Sequence, residues 1–277
     1  MEARLELPDD LSLRIADAAA GAHYPTGRLQ KGLLLYDGEQ ELAEEGVGFG
    51  VPVLKRGVQT IFPGAVRLHR SVAGSGHEIT ADYQLDLVER LARSGGRSVR
   101  SGAVYAAKDS LAALHRRVPV LRRPLAAASS AGRRTLGWTT TYEPSAFRAT
   151  VPVTYALHAE EPAVTITADL TGLSEAGFTE AVFMNELGAR EFDRYEDAAG
   201  TTLRGDAVGT WDAVTAADGR FVSSRRRLAF SLAQAPGARL HRGRELVGSR
   251  LAWAGFGYSV PPALGRFVYE VRIERLP

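Results

Sequence analysis

Apolar and polar residues alternate with period two along most of this chain. The pattern is clear in RLEL (4–7) and LSLRIADA (11–18), in VRLHRSV (66–72) and EITADYQLDLVERL (78–91), and again in FRATVPVTYALHA (147–159) and GRFVYEVRIERLP (265–277). Period two sends successive side chains to opposite faces of an extended backbone, so each stretch predicts a half-buried strand. Turn residues punctuate the pattern: DG at 37–38 and 218–219, RG at 56–57, PG at 63–64, and a proline at 144 between GWTTTY and the next apolar run. Many strands spaced by such turns predict a mainly β protein built as a large antiparallel β-sandwich, although the pattern alone leaves a closed barrel open.

One segment departs from it. Asp109 or Ser110 can cap a helix in which Leu111, Leu114 and Val118 fall at helical spacing, and Pro119 stops or bends it. A short helical insert is predicted around residues 107–130, inside a basic insert at about 94–134. No internal repeat and no Pro/Ser linker interrupts the rest, so 1–277 reads as a single sandwich domain.

Composition changes this picture little. The 277 residues are 45% hydrophobic and 24% charged, enough for a sizeable core. Net charge is only +2, but between Arg90 and Arg134 there are eleven Lys or Arg against one acid, Asp109. That asymmetry supports one function class: a non-catalytic interaction protein whose arginine-rich insert docks an acidic partner or self-associates into a homo-oligomer. The pairs at 116–117, 122–123 and 133–134, together with Arg225-Arg226-Arg227 read on a later strand, could also hold phosphates. Nucleic acid is disfavoured, because Tyr105 is the only aromatic residue in the insert to stack on a base. Cysteine is absent, which removes disulfides and thiolate chemistry. With no 18-residue apolar run and the charged start EARLELPDD, the expectation is a cytoplasmic protein away from membranes.

Candidate chemistry concentrates in Ala181 to Asp212. Glu186 follows the apolar Val182-Phe183-Met184, so its carboxyl can emerge at the end of a buried strand where desolvation raises its pKa. Glu186 and Asp193 are the expected acid and base, with His241 as a third catalytic candidate. Asn185, Arg190, Asp197, Trp211 and Arg244 are the expected ligand-binding set: Trp211 as a stacking platform, the arginines for a carboxylate or phosphate, and the amide and Asp197 for hydroxyls. Ion pairing of Glu186 with Arg190 or another arginine and core burial of Trp211 are the competing structural readings. Gly46, Gly48 and Gly50 strip one face of an extended segment, for tight packing or for a ligand. The histidines form no HxH, HExxH or HxxxH pair, so no metal or other cofactor is expected unless His69, His77, His241 and Glu186 are assembled from distant strands. GxSxG and SxxK are missing, which disfavours serine hydrolases.

The segment Leu240–Glu245, with Gly243-Arg244-Glu245 read as a turn, is followed by the aromatic-rich SRLAWAGFGYSV. With Ile61-Phe62-Pro63-Gly64, it resembles the galactose-mutarotase-like (aldose epimerase) proteins. The resemblance implies a β-supersandwich whose ligands lie on the concave face of the large sheet, and a carbohydrate-like or other polar small molecule as partner. Epimerase, isomerase or lyase chemistry would follow. The chain lacks the catalytic histidine signature of true aldose epimerases, since His69 and His158 stand in other contexts.

Overall fold

The computed structural model describes residues 1–19, 30–70, 78–93, 98–99, 138–158, 161–247 and 251–277. The chain opens with β1 (Glu2–Glu6), β2 (Leu11–Ala16), β3 (Leu34–Asp37) and β4 (Gln40–Glu41), which pair in sequence order as a small antiparallel sheet. Every later strand joins one large sheet. These are β5 (Gly48–Arg56), β6 (Gln59–Arg70), β7 (Glu78–Arg93), β8 (Ser98–Val99), β9 (Trp138–Leu157), β10 (Ala163–Asp169), β11 (Glu180–Gly188) and β12 (Arg194–Asp197). They continue as β13 (Thr202–Arg204), β14 (Asp212–Ala213), β15 (Asp218–Ser223), β16 (Leu228–Ala233), β17 (Arg239–Val247), β18 (Leu251–Val260) and β19 (Arg266–Arg275). Their order is β13-β12-β15-β16-β19-β10-β9-β7-β6-β5-β11-β18-β17-β14, with β8 beside β7. The predicted mainly β, antiparallel sandwich is what forms.

The alternation in the sequence becomes alternation in burial. In β19 every second residue (Phe267, Tyr269, Val271, Ile273) is buried, and the residues between them are not. The buried faces meet because the sheet folds back on itself. Phe230 of β16 packs edge-on against Phe49 of β5 and Phe256 of β18, while Phe267 and Tyr269 of β19 meet Phe183 of β11. Such offset and edge-to-face pairs add to the burial of large rings. Chain connectivity requires the same curl, since the edge strands β13 and β14 are joined through only the 3-10 turn Gly205–Val208 and a short loop.

The small sheet shares this core, with Leu5, Leu13 and Leu35 in one apolar cluster with Phe49 and Phe183. Bridges Ala18–Val66 and Leu33–Phe49 tie it down, and so does an ionic clasp. Asp37 accepts from Arg226 at 2.6 Å and Arg275 at 2.5 Å, and Glu191 pairs with Arg225 and, at 3.0 Å, with Arg226. Burial would raise the Asp37 pKa, but the two guanidinium partners outweigh it and hold the carboxyl below its ordinary value.

Four local expectations are corrected. Pro144 does not end a strand: β9 runs through it, and the register against β7 is broken between Leu85 and Leu87, where Ala149 and Pro144 are the respective partners. Pro63-Gly64 is likewise an irregularity within β6, so the three neighbouring strands bend at one level, as prolines at bulges allow. Asp218-Gly219 begins β15 and is not a turn. Arg225, Arg226 and Arg227 form the β15–β16 turn, where Arg226 is bound up in the clasp instead of facing a phosphate. The helical insert at 107–130, and the basic insert at 94–134 apart from β8, lie outside the described residues.

Candidate functional site

Strand β11 presents two faces of opposite character. Ala181, Phe183, Asn185 and Leu187 are fully buried inside the sandwich, and Val182, Met184 and Glu186 lie on the other, outer face. Cross-strand register extends that outer face over β18 and β17 in rows: Met184–Gly257–His241 and Glu186–Gly255–Gly243, followed by Gly188–Trp253–Glu245. Two of these rows are floored by glycine, and the space is used by rings. A Cβ on Gly257 would fall on the Trp211 ring, and one on Gly243 would lie 2.6 Å from the Trp253 ring. Trp211 stacks on His241, with centroids 5.0 Å apart and planes 10° from parallel. The Trp253 indole N–H donates to Glu245 at 3.1 Å.

Glu186 sits at the centre of this face. Burial pushes its carboxyl up to about 8, and the nearby charge of Glu245 acts in the same direction against a hydrogen bond from the Val47 N–H. Tyr142 approaches from the bent end of β9, edge-on to Phe62 at 5.4 Å and near enough to Glu89 and Glu186 to feel both charges. Burial first, then those carboxylates, raise its pKa and keep the phenol neutral. A carboxyl whose pKa burial raises towards neutral can give and take a proton there.

No family model and no curated protein matches the chain. A similar solved structure is the Slr1438 protein of Synechocystis sp. PCC 6803, with 9% identity, 99% of this chain and 96% of that chain covered, and a TM-score of 0.37. At that level neither fold nor activity carries over.

The structure thus brings three of the sequence-predicted residues together, Glu186, His241 and Trp211. The remaining five lie elsewhere. Asn185 faces the core, where its Oδ1 accepts from the Gly50 N–H at 3.1 Å and the Tyr269 hydroxyl at 3.0 Å. Asp193 precedes β12, its N–H bonded to the Val222 carbonyl. Asp197 closes the β12–β13 turn by accepting from the N–H groups of Ala199 and Thr201 and from the Tyr195 hydroxyl. Burial would raise its pKa, but those bonds outweigh it and keep it low. Arg190 pairs with Glu44 at 2.8 Å, and Glu186 forms no ion pair with Arg190 or another arginine among the described residues. Arg244, in mid-strand β17 with Gly243 and Glu245 and not in a turn, donates to the Ala189 carbonyl at 2.8 Å. Gly46, Gly48 and Gly50 serve tight packing: added Cβ atoms would meet the carbonyls of Glu186 and Leu33 and the Tyr155 ring. Among the described residues no group of three or more His, Asp or Glu is arranged to hold a metal ion.

Sequence reasoning missed Glu245, Trp253 and Tyr142. A signal for Trp253 was present in Trp253-Ala254-Gly255-Phe256-Gly257, where glycine at alternate positions strips one strand face beside large rings.

Proposed function

We propose that the outer face of β11, β18 and β17 binds a carbohydrate-like small molecule and that Glu186 exchanges a proton with it, as an epimerase, isomerase or lyase requires. The observation that carries this reading is the raised pKa of Glu186, about 8, on a glycine-floored face flanked by Trp211, Trp253 and the second carboxylate Glu245. Aromatic rings offer flat apolar platforms for the C–H faces of a sugar, and carboxylates accept from its hydroxyls. The galactose-mutarotase-like resemblance supplies the reaction classes and has no further role. The same reading puts the protein in the cytoplasm, in keeping with its lack of cysteine; among the described residues no helix is long and apolar enough to cross a membrane. The test is a panel of mono- and oligosaccharides followed by tryptophan fluorescence and by product analysis, with wild type beside Glu186→Gln. Saccharide-dependent fluorescence in both proteins, with turnover only in the wild type, is expected. A panel that leaves the fluorescence unchanged, or turnover that survives Glu186→Gln, overturns it.

A further inference from the structure

The outer face continues past Trp211. The next row of the register is Val182–Ser259–Arg239, and here a cleft of about 400 Å³ opens, lined by Thr179, Glu180, Arg239 and Ser259 among others. Its charged lining is Glu180 and Arg239. Lys55, outside the lining, already pairs with Glu180 at 2.8 Å, and Ser259 also hydrogen bonds that carboxylate. Arg239 is exposed, forms no ion pair among the described residues and acts on Glu180 only through its charge at longer range. Counting Lys55, one cation is in excess, and the exposed Arg239 carries a planar fork that matches a carboxylate. Four strand residues separate this row from that of Glu186, roughly 13 Å at about 3.3 Å per residue. Between them lies the Trp211 ring on Gly257.

We propose that this face takes an elongated acidic saccharide, with a carboxylate of the ligand on Arg239, a ring over Trp211, and the reacting unit at Glu186. The inference rests on the carbohydrate reading above and adds the substrate class. The arrangement is polarised, with a cation at one end of the face and the carboxyl groups of Glu186 and Glu245 at the other.

Calorimetric titration with trisaccharides of galacturonate, glucuronate and mannuronate, each as free acid and as methyl ester, tests this. For at least one sugar the acid should bind wild type about tenfold more tightly than its ester, the gain of one well-placed arginine–carboxylate pair. Arg239→Gln should abolish that preference without lowering the melting temperature, and Glu186→Gln should retain it. Equal affinity for acid and ester, or a preference that survives Arg239→Gln, overturns the inference and leaves the carbohydrate reading standing. Binding of neither form to wild type also overturns the inference, while the carbohydrate reading stands or falls on the saccharide panel above.

Discussion

Asn185 and Glu186 are adjacent in the chain and share almost nothing else. Asn185 points into the sandwich, where its amide oxygen accepts from the Gly50 N–H and the Tyr269 hydroxyl and its amide nitrogen donates to the Phe183 carbonyl. Glu186 points the other way, into a partly covered site where water is scarce and only the Val47 N–H offsets the cost of its charge. A polar group with fixed partners stabilises a structure, while a carboxyl short of partners keeps its proton up to near-neutral pH, where it can exchange it. Side-chain alternation on a single strand is enough to separate the two roles.

Breaking the core-facing side should have the largest effect. Asn185→Leu keeps the volume but strands the Gly50 N–H and the Tyr269 hydroxyl, and we expect a loss of about 3 kcal/mol in urea unfolding. Next comes the floor of the outer face. Gly257→Val places methyl groups where the Trp211 ring lies, with an expected cost of about 2 kcal/mol and a shift in tryptophan emission. An unshifted emission maximum would mean that Trp211 does not rest there.

The other side of the comparison is sharpened by pH. Folded Glu186 keeps its proton up to about pH 8, whereas the unfolded chain releases it near the ordinary value of 4.5. The folded state binds the extra proton throughout that window, so wild-type stability falls as pH rises from 4.5 towards 8. Glu186→Gln should leave stability unchanged at pH 4 and raise it by about 1–2 kcal/mol at pH 9, a figure reduced for the part of the side chain that water still screens. Thermal melts across that range check both sign and window.

The smallest change is expected at the clasp. Asp37 is held below its ordinary value of 3.8, so its contribution is present above that pH and disappears as pH falls through the folded value. Asp37→Asn should cost about 1 kcal/mol at pH 7 and progressively less as pH falls below 3.8, measured by the same melts.

The fold was legible because burial and alternation are the same fact seen twice, as β19 shows. The breaks were less legible. Proline and Asp-Gly mark turns in isolated segments, but Pro63 and Pro144 sit at irregularities that long strands absorb, and Asp218-Gly219 pairs with Leu232 and Ala233. At the site, Glu186 stood out by its apolar lead-in, since local hydrophobicity signals a strand end under cover. His241 and Trp211 converge on it through register between β11, β18 and β17, a tertiary fact that no spacing within Ala181 to Asp212 contains. Asp197 was misleading because carboxylates that cap turns look in sequence like carboxylates that bind ligands.

The sheet that folds back on itself also sets when the outer face can exist. Gly50 and Asn185 are 135 positions apart, and Asp37 meets Arg275 across 238. Contacts of such separation form late and slowly, because long loops must close before any contact stabilises them. On the ribosome β5 and β11 emerge before β18 can pair with β11, which leaves an uncovered strand edge while the residues between β11 and β18 are made. The acid–base face is therefore among the last parts of the molecule to assemble, and a chain truncated before residue 251 would have no Trp253, no floor beside Glu186 and no site at all.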